Sequence, residues 1–155
     1  MTGLGRLPVV FPPEPDERLS SWLAGLATFY AMTVPEFVAE LGLSGRDGFN
    51  LEWRLSEGEG ALIAARTGVP EVALQAMTYG EIVPEARLMI ARKSRHCCPD
   101  CPADVHRKAT ALPWRFSCAI PSTDLRDLAG ATLADPLGST RFDALHSQAK
   151  TGGAV

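Results

Sequence analysis

All four cysteines of the chain and two of its three histidines fall within one stretch, RHCCPDCPADVHRKATALPWRFSC, Arg95 to Cys118. Thiols and imidazoles hold transition metals and thiols also run redox exchange, so the spacing must decide between these chemistries. Cys98 and Cys101 form CPDC, and Cys118 follows after sixteen intervening residues. A two-residue gap lets two thiolates face one ion from a tight turn, and a distant third ligand closes a loop around it, as in structural zinc sites. Four ligands are usual there. A second C-x-x-C or C-x-x-H would place the last at position 121, which is Pro121, a residue that cannot ligate. His106, His96 and Cys97 are the substitutes at hand; Cys97 adjoins Cys98 and would join it only with strain, and His106 is favoured. CPDC also suits a dithiol redox site, but that chemistry expects a βαβ surrounding and a helix N-terminus at the first thiol. Here the dithiol follows a basic segment and is followed at once by Pro102. Unliganded cysteines are the third reading.

The same segment is the basic part of an acidic chain. From Arg87 to Arg115 the charge is +5, against −8 for the remainder and −3 overall. Arg92, Lys93, Arg95, Arg107, Lys108 and Arg115 are the candidate phosphate-binding residues, and Trp114 beside Arg115 adds an aromatic surface for stacking. Three thiolates around Zn²⁺ would add a single negative charge and leave the strip positive. A solvated basic face with no ligand is the plain alternative.

The elements that must carry this segment are helical. Leu7 to Pro15, with four prolines, is an extended lead-in that cannot be helical. From Asp16, taken as N-cap, apolar residues recur at Leu19, Trp22, Leu23, Leu26, Ala27 and Tyr30, the pattern of a helix with one buried face. Thr33 and Glu36 make a capping box with Pro35 in the first turn, and Phe37, Val38 and Leu41 face inward before Gly42. Ser56 and Glu59 repeat the capping signal, Gly68 closes that helix, and Pro70 opens another through Val72, Leu74 and Met77. A fifth helix is expected from Pro84 through Leu88 and Ile90 toward Lys93. No strand alternation precedes the cysteines, and Leu125 with Leu128 suggests a short helical turn. Trp22 and Trp53 read as packing residues.

A weak internal repeat aligns Ala27 with Ala64, Ala31 with Gly68, and Phe37 with Leu74. Each copy reads as a helix-turn-helix, in which a small residue permits the tight turn and a large apolar one packs the second helix on the first. A simple helical hairpin has the same requirements. A base-reading helix presents Arg, Lys, Asn or Gln, whereas the second helices here offer Glu36 and Glu40, then Glu71 and Gln75. The hairpins are therefore expected to form a core and a protein-docking face.

Length and composition agree with a small, mainly α domain followed by a zinc-finger-like module. The expected divisions are an extended lead-in over 1–15, a helical domain over 16–94, the basic module over 95–121 and a short or mobile tail over 122–155. With 155 residues the core is modest, so a bound metal or partner would help. No apolar run approaches the ~18 residues that span a bilayer and the first ten residues lack a secretory core, so a cytoplasmic location without membrane is expected. No catalytic set is evident: the carboxylates are scattered, no Gly-rich loop with a Lys occurs, and Ser20 and Ser21 have no nearby His.

LPVVFPPEPDERLSSWLAGLATFY, the later AMTYGEIVPEARLMIARKSRHCCPDCPADVHRKATALPWRFSC and the helical stretch between them resemble the N-terminal part of the TniQ family, over Leu7 to Cys118. The most specific pieces are Glu17 to Leu23 and Cys98 to Cys118. The resemblance implies an all-helical domain with helix-turn-helix character and a zinc module, in a non-enzymatic accessory factor of DNA transposition. It implies Zn²⁺ at Cys98, Cys101 and Cys118, and work beside an AAA+ ATPase and a DDE transposase. Some relatives bind an RNA-guided CRISPR surveillance complex, which makes such a complex, like DNA and a second copy of the chain, a candidate partner. Family members usually carry CPxHG at the third cysteine where this chain reads CAIPS, and they continue with further helices and zinc ligands. A shortened or diverged member is thus expected. The alternative from another class is a helix-turn-helix transcriptional regulator.

Overall fold

The computed structural model describes residues 5–94, 96–103, 105–115, 117–118, 120–121 and 123–127. The chain divides into two units, one of Met1–Leu88 with Asp104–Lys108, the other of Met89–Ala103 with Ala109–Val155. Against the expected 16–94 and 95–121 division, 89–94 group with the cysteine segment, and a five-residue piece of that segment groups with the helices. Expectations for 128–155, Leu128 and much of the tail among them, lie outside the described residues.

In the first unit, α1 (Leu19–Phe29) is formed by the expected stripe, and Leu19, Trp22, Leu23, Leu26 and Ala27 are all buried. Its start corrects the sequence reading. Asp16 is not the cap; it has φ 58°, and the N-cap is Arg18, which makes no side-chain cap. The orphan amides of the first turn are met by tertiary acceptors instead: Arg18 N–H donates to His106 O (2.9 Å), Leu19 N–H to Met77 O (3.1 Å) and Ser20 N–H to the Glu52 carboxylate (3.0 Å). Sequence-local capping rules cannot see partners so far away.

The second helix, α2 (Val34–Glu40), has the full Thr33–Glu36 capping box and Pro in its first turn. It leaves α1 at 91°, and the turn is made by Ala31 at φ 53°. A side chain with Cβ is strained there. Ala31→Gly is expected to raise stability by about 1 kcal/mol, read as a higher thermal midpoint; an unchanged or lower midpoint would show that the turn carries no such strain. Tyr30 stacks on Phe37 at 5.9 Å across the corner.

A helix absent from the sequence reading, α3 (Gly48–Trp53), is capped by Asp47, which accepts from Asn50 N–H at 2.8 Å. It lies against α1 so closely that a Cβ on Gly48 would meet Ser20 Cα at 3.2 Å. The fourth, α4 (Glu57–Thr67), has the expected Ser56–Glu59 box and ends on Gly68 at φ 75°. The fifth, α5 (Glu71–Ala76), starts after Pro70 and buries Leu74. Phe37 and Leu74, paired in the sequence repeat, are both core residues, and Ala31 and Gly68 both adopt positive φ.

The last helix, α6 (Pro84–Arg87), is a single turn and not the run to Lys93 expected from sequence. Its Arg87 guanidinium curls back to Ile82 O and Gly80 O, both at 2.6 Å. Leu88 is 84% exposed, so it does not share a buried face with Ile90, as the longer helix would require. The proline-rich lead-in is extended as expected and is strapped down. Tyr30 Oη accepts from Val9 N–H (3.0 Å) and donates to Val9 O (2.6 Å), while Trp22 Nε1 donates to Phe11 O (3.0 Å). Among the described residues no single helix is long and apolar enough to cross a membrane.

The second unit is built from short pieces. β1 (His96–Cys97) pairs antiparallel with β2 (Arg126–Asp127), His96 opposite Asp127 and Cys97 opposite Arg126. Arg126–Asp127 is therefore strand where the sequence suggested a helical turn around Leu125. Among its described residues Ile90, Ala109, Ala111 and Leu112 are buried, together with Cys98 and Cys118. A metal cross-link is a usual stabiliser of so small a structure.

Candidate metal centre

The turn Cys98–Cys101 is closed by Cys101 N–H donating to Cys98 O at 3.4 Å. Cys118 reaches it from a second turn, in which Cys118 N–H donates to Thr123 O at 2.8 Å and Ser117 bridges Asp124. The Thr123 hydroxyl donates to the Asp100 carboxylate at 2.6 Å and so ties the two turns together. Neither Asp100 nor Thr123 was marked out in the sequence, although Asp in a C-P-D-C turn is a turn-former with an acceptor to spare.

The result is three sulfurs within 4.8 Å of one another. Cys101 Sγ and Cys118 Sγ are 3.7 Å apart, which matches the roughly 3.8 Å edge of a tetrahedron with Zn–S bonds of about 2.3 Å. None of the four cysteines is in a disulfide. Burial above all, with the neighbouring Cys101 and Cys98 sulfurs and against the Ile120 amide, which lowers it, pushes the Cys118 thiol up to about 11. Such a thiol is protonated at neutral pH, and a cation in its place reverses that preference. The donor set, its spacing and its burial all fit a thiophilic divalent metal. The thioredoxin-like reading lacks its structural basis, because Cys98 follows a strand and sits in a turn rather than at a helix N-terminus.

His106, the favoured fourth ligand, is placed elsewhere. It belongs to the helical unit, is exposed, and is held by its main chain, its N–H donating to Ser21 Oγ at 3.0 Å. Among the described residues the set of converging ligand atoms comprises the three sulfurs alone. Cys97 is half-buried and outside it, and His96 Nδ1 is buried with no hydrogen-bond partner.

The six basic candidates also separate. Arg92, Lys93 and Arg115 are exposed in the second unit, with Trp114 39% exposed beside Arg115. Arg107 and Lys108 belong to the helical unit. Arg107 is 4% exposed and donates to Pro15 O within the helical unit. The Lys108 ammonium donates to Ala76 O at 2.7 Å and lies 5.8 Å from the Tyr79 ring centroid, and burial pulls its pKa down. Arg95 lies outside the described residues.

The chain thus combines a mainly helical unit with a small unit whose two turns bring three thiols together. Residues 8–123 match the TniQ family model, and the chain belongs to the TniQ family, whose members are non-catalytic accessory proteins associated with transposition. No curated protein and no solved structure matches the chain.

Proposed function

We propose that the chain serves as a target-site adaptor in DNA transposition. Zn²⁺ held by Cys98, Cys101 and Cys118 shapes a unit that grips DNA by its phosphates, and the acidic helical unit docks protein partners. The observation that carries this reading is the placement of exposed Arg92, Lys93, Trp114 and Arg115 in the unit that gathers the three sulfurs. The segments bearing them are tied together, Ala91 N–H to Ala111 O at 3.2 Å and Thr110 Oγ1 to Ser94 Oγ at 2.9 Å.

The helical unit suits protein better than DNA. Glu36 and Glu40 are exposed on α2, which has no basic residue, and phosphates would repel them. Val9, Phe11 and Phe29 expose apolar surface, with the Phe11 and Phe29 rings edge to face at 6.3 Å. An AAA+ transposition ATPase, a DDE transposase or an RNA-guided CRISPR complex are the partners this reading supplies. A transcriptional regulator would have to read bases with the same acidic α2 or with Gln75 of α5.

Charge reversal at Arg92, Lys93 and Arg115 is expected to weaken nucleic-acid binding equally across sequences and to lower the salt slope by about 0.9 for each phosphate that is no longer neutralised. Gel-shift titrations at several salt concentrations check it, and intact affinity in the triple variant would remove DNA from the proposal. A defect confined to one DNA sequence would favour the regulator.

A further inference from the structure

Three thiolates leave a tetrahedral ion one ligand short, and position 121, where spacing would put it, is proline. We infer that His96 Nδ1 completes the site; the inference rests on the metal reading above and adds to it the ligand that replaces residue 121.

Four observations converge on this side chain. First, His96 lies in the same unit as the three sulfurs, whereas His106 belongs to the other. Second, its Nδ1 is buried and has no hydrogen-bond partner among the described residues. Buried polar atoms are paired as a rule, and metal ligation is one way in which an imidazole nitrogen is paired. Third, His96 starts the strand that runs directly into the Cys98–Cys101 turn. Residues two apart in an extended chain share a face, so the H-x-C spacing of His96 and Cys98 suits two ligands of one ion. Fourth, β1 is held by β2, which follows the turn that carries Cys118. The ladder thus fixes the His96 backbone relative to the second half of the site. In the structure the converging set comprises the three sulfurs only, so ligation requires the imidazole to rotate about its side-chain torsions.

The test uses the full chain with Zn²⁺ and with Co²⁺ as a spectroscopic substitute. The wild type should bind one Co²⁺ with tetrahedral d–d bands and charge transfer from three thiolates, and X-ray absorption should show three sulfurs and one imidazole nitrogen. His96→Ala should weaken Zn²⁺ in a chelator competition by about 10- to 100-fold or more, while His106→Ala and His146→Ala should leave it unchanged. His96→Cys should restore affinity and raise the sulfur-to-cobalt absorption to that of four thiolates. A merely structural histidine would not produce that increase. If the wild type binds metal and His96→Ala binds it equally well, or if His106→Ala or His146→Ala is the variant that fails, the inference is overturned while the metal site stands. A wild type that takes up no metal overturns both.

Discussion

Glu52→Ala is expected to cost the helical unit about 3–5 kcal/mol, a large share of the 5–15 kcal/mol typical of a small protein. Glu52 is fully buried on the six-residue α3, and Arg18 beside it is 3% exposed. The carboxylate accepts from Arg18 Nε at 3.1 Å and from Arg18 Nη2, and also from Ser20 N–H at 3.0 Å. It therefore neutralises a buried guanidinium and caps α1 at once. Removing it takes the carboxylate from a buried guanidinium, which lies 5.7 Å from the Tyr79 ring centroid, and the acceptor from the Ser20 amide. Glu52→Gln keeps the acceptor for Ser20 and loses only the charge, so its cost should be smaller. Urea unfolding followed by far-UV circular dichroism checks both. High salt should not rescue either variant, because the pair is shielded from mobile ions. A loss below about 1 kcal/mol in Glu52→Ala would show that the pair is replaceable by water.

The same residue marks the limit of what could be read from the sequence. Helix starts governed by neighbours three residues away were legible: both capping boxes, Thr33 with Glu36 and Ser56 with Glu59, stand where expected. So were the α1 stripe, the Gly68 stop and the extended lead-in. The start of α1 was misread at Asp16 because its amides are met by Met77, His106 and Glu52, residues that no local rule connects to it. The helix α3 was missed because it is short and its buried face includes a glutamate, which reads as surface. The run through Leu88 was overextended because periodicity reports a capacity to bury a face, not the presence of a partner.

At the site, the three cysteines were legible from spacing alone, since the chemistry demands a turn and a returning strand. His106, Arg107 and Lys108 were assigned to the cysteine module by their position in the chain. They sit in the helical unit, where Lys108 N–H donates to Asp16 O at 2.8 Å and Glu17 bridges Arg107. A linear charge count treats 92–115 as one strip, and the fold returns 104–108 to the helices.

Loss of the metal is expected to have the other large effect. A structural zinc site contributes on the order of 10 kcal/mol to folding, and the two turns of the second unit are joined at it. Cys98→Ser removes a sulfur that is 9% exposed and starts the ligand turn. The purified variant should contain no zinc by elemental analysis, and Trp114 emission and amide protection in the second unit should be lost. The far-UV signal should largely persist, because α1 to α5 belong to the helical unit. A chelator added to the wild type should reproduce the same pattern. Metal binding displaces thiol protons, so affinity should fall as pH is lowered, and acid should release the ion before the helices melt. A preparation that contains no metal, with spectra indifferent to chelator, would leave the three sulfurs as buried thiols and remove the physical basis for a shaped basic unit.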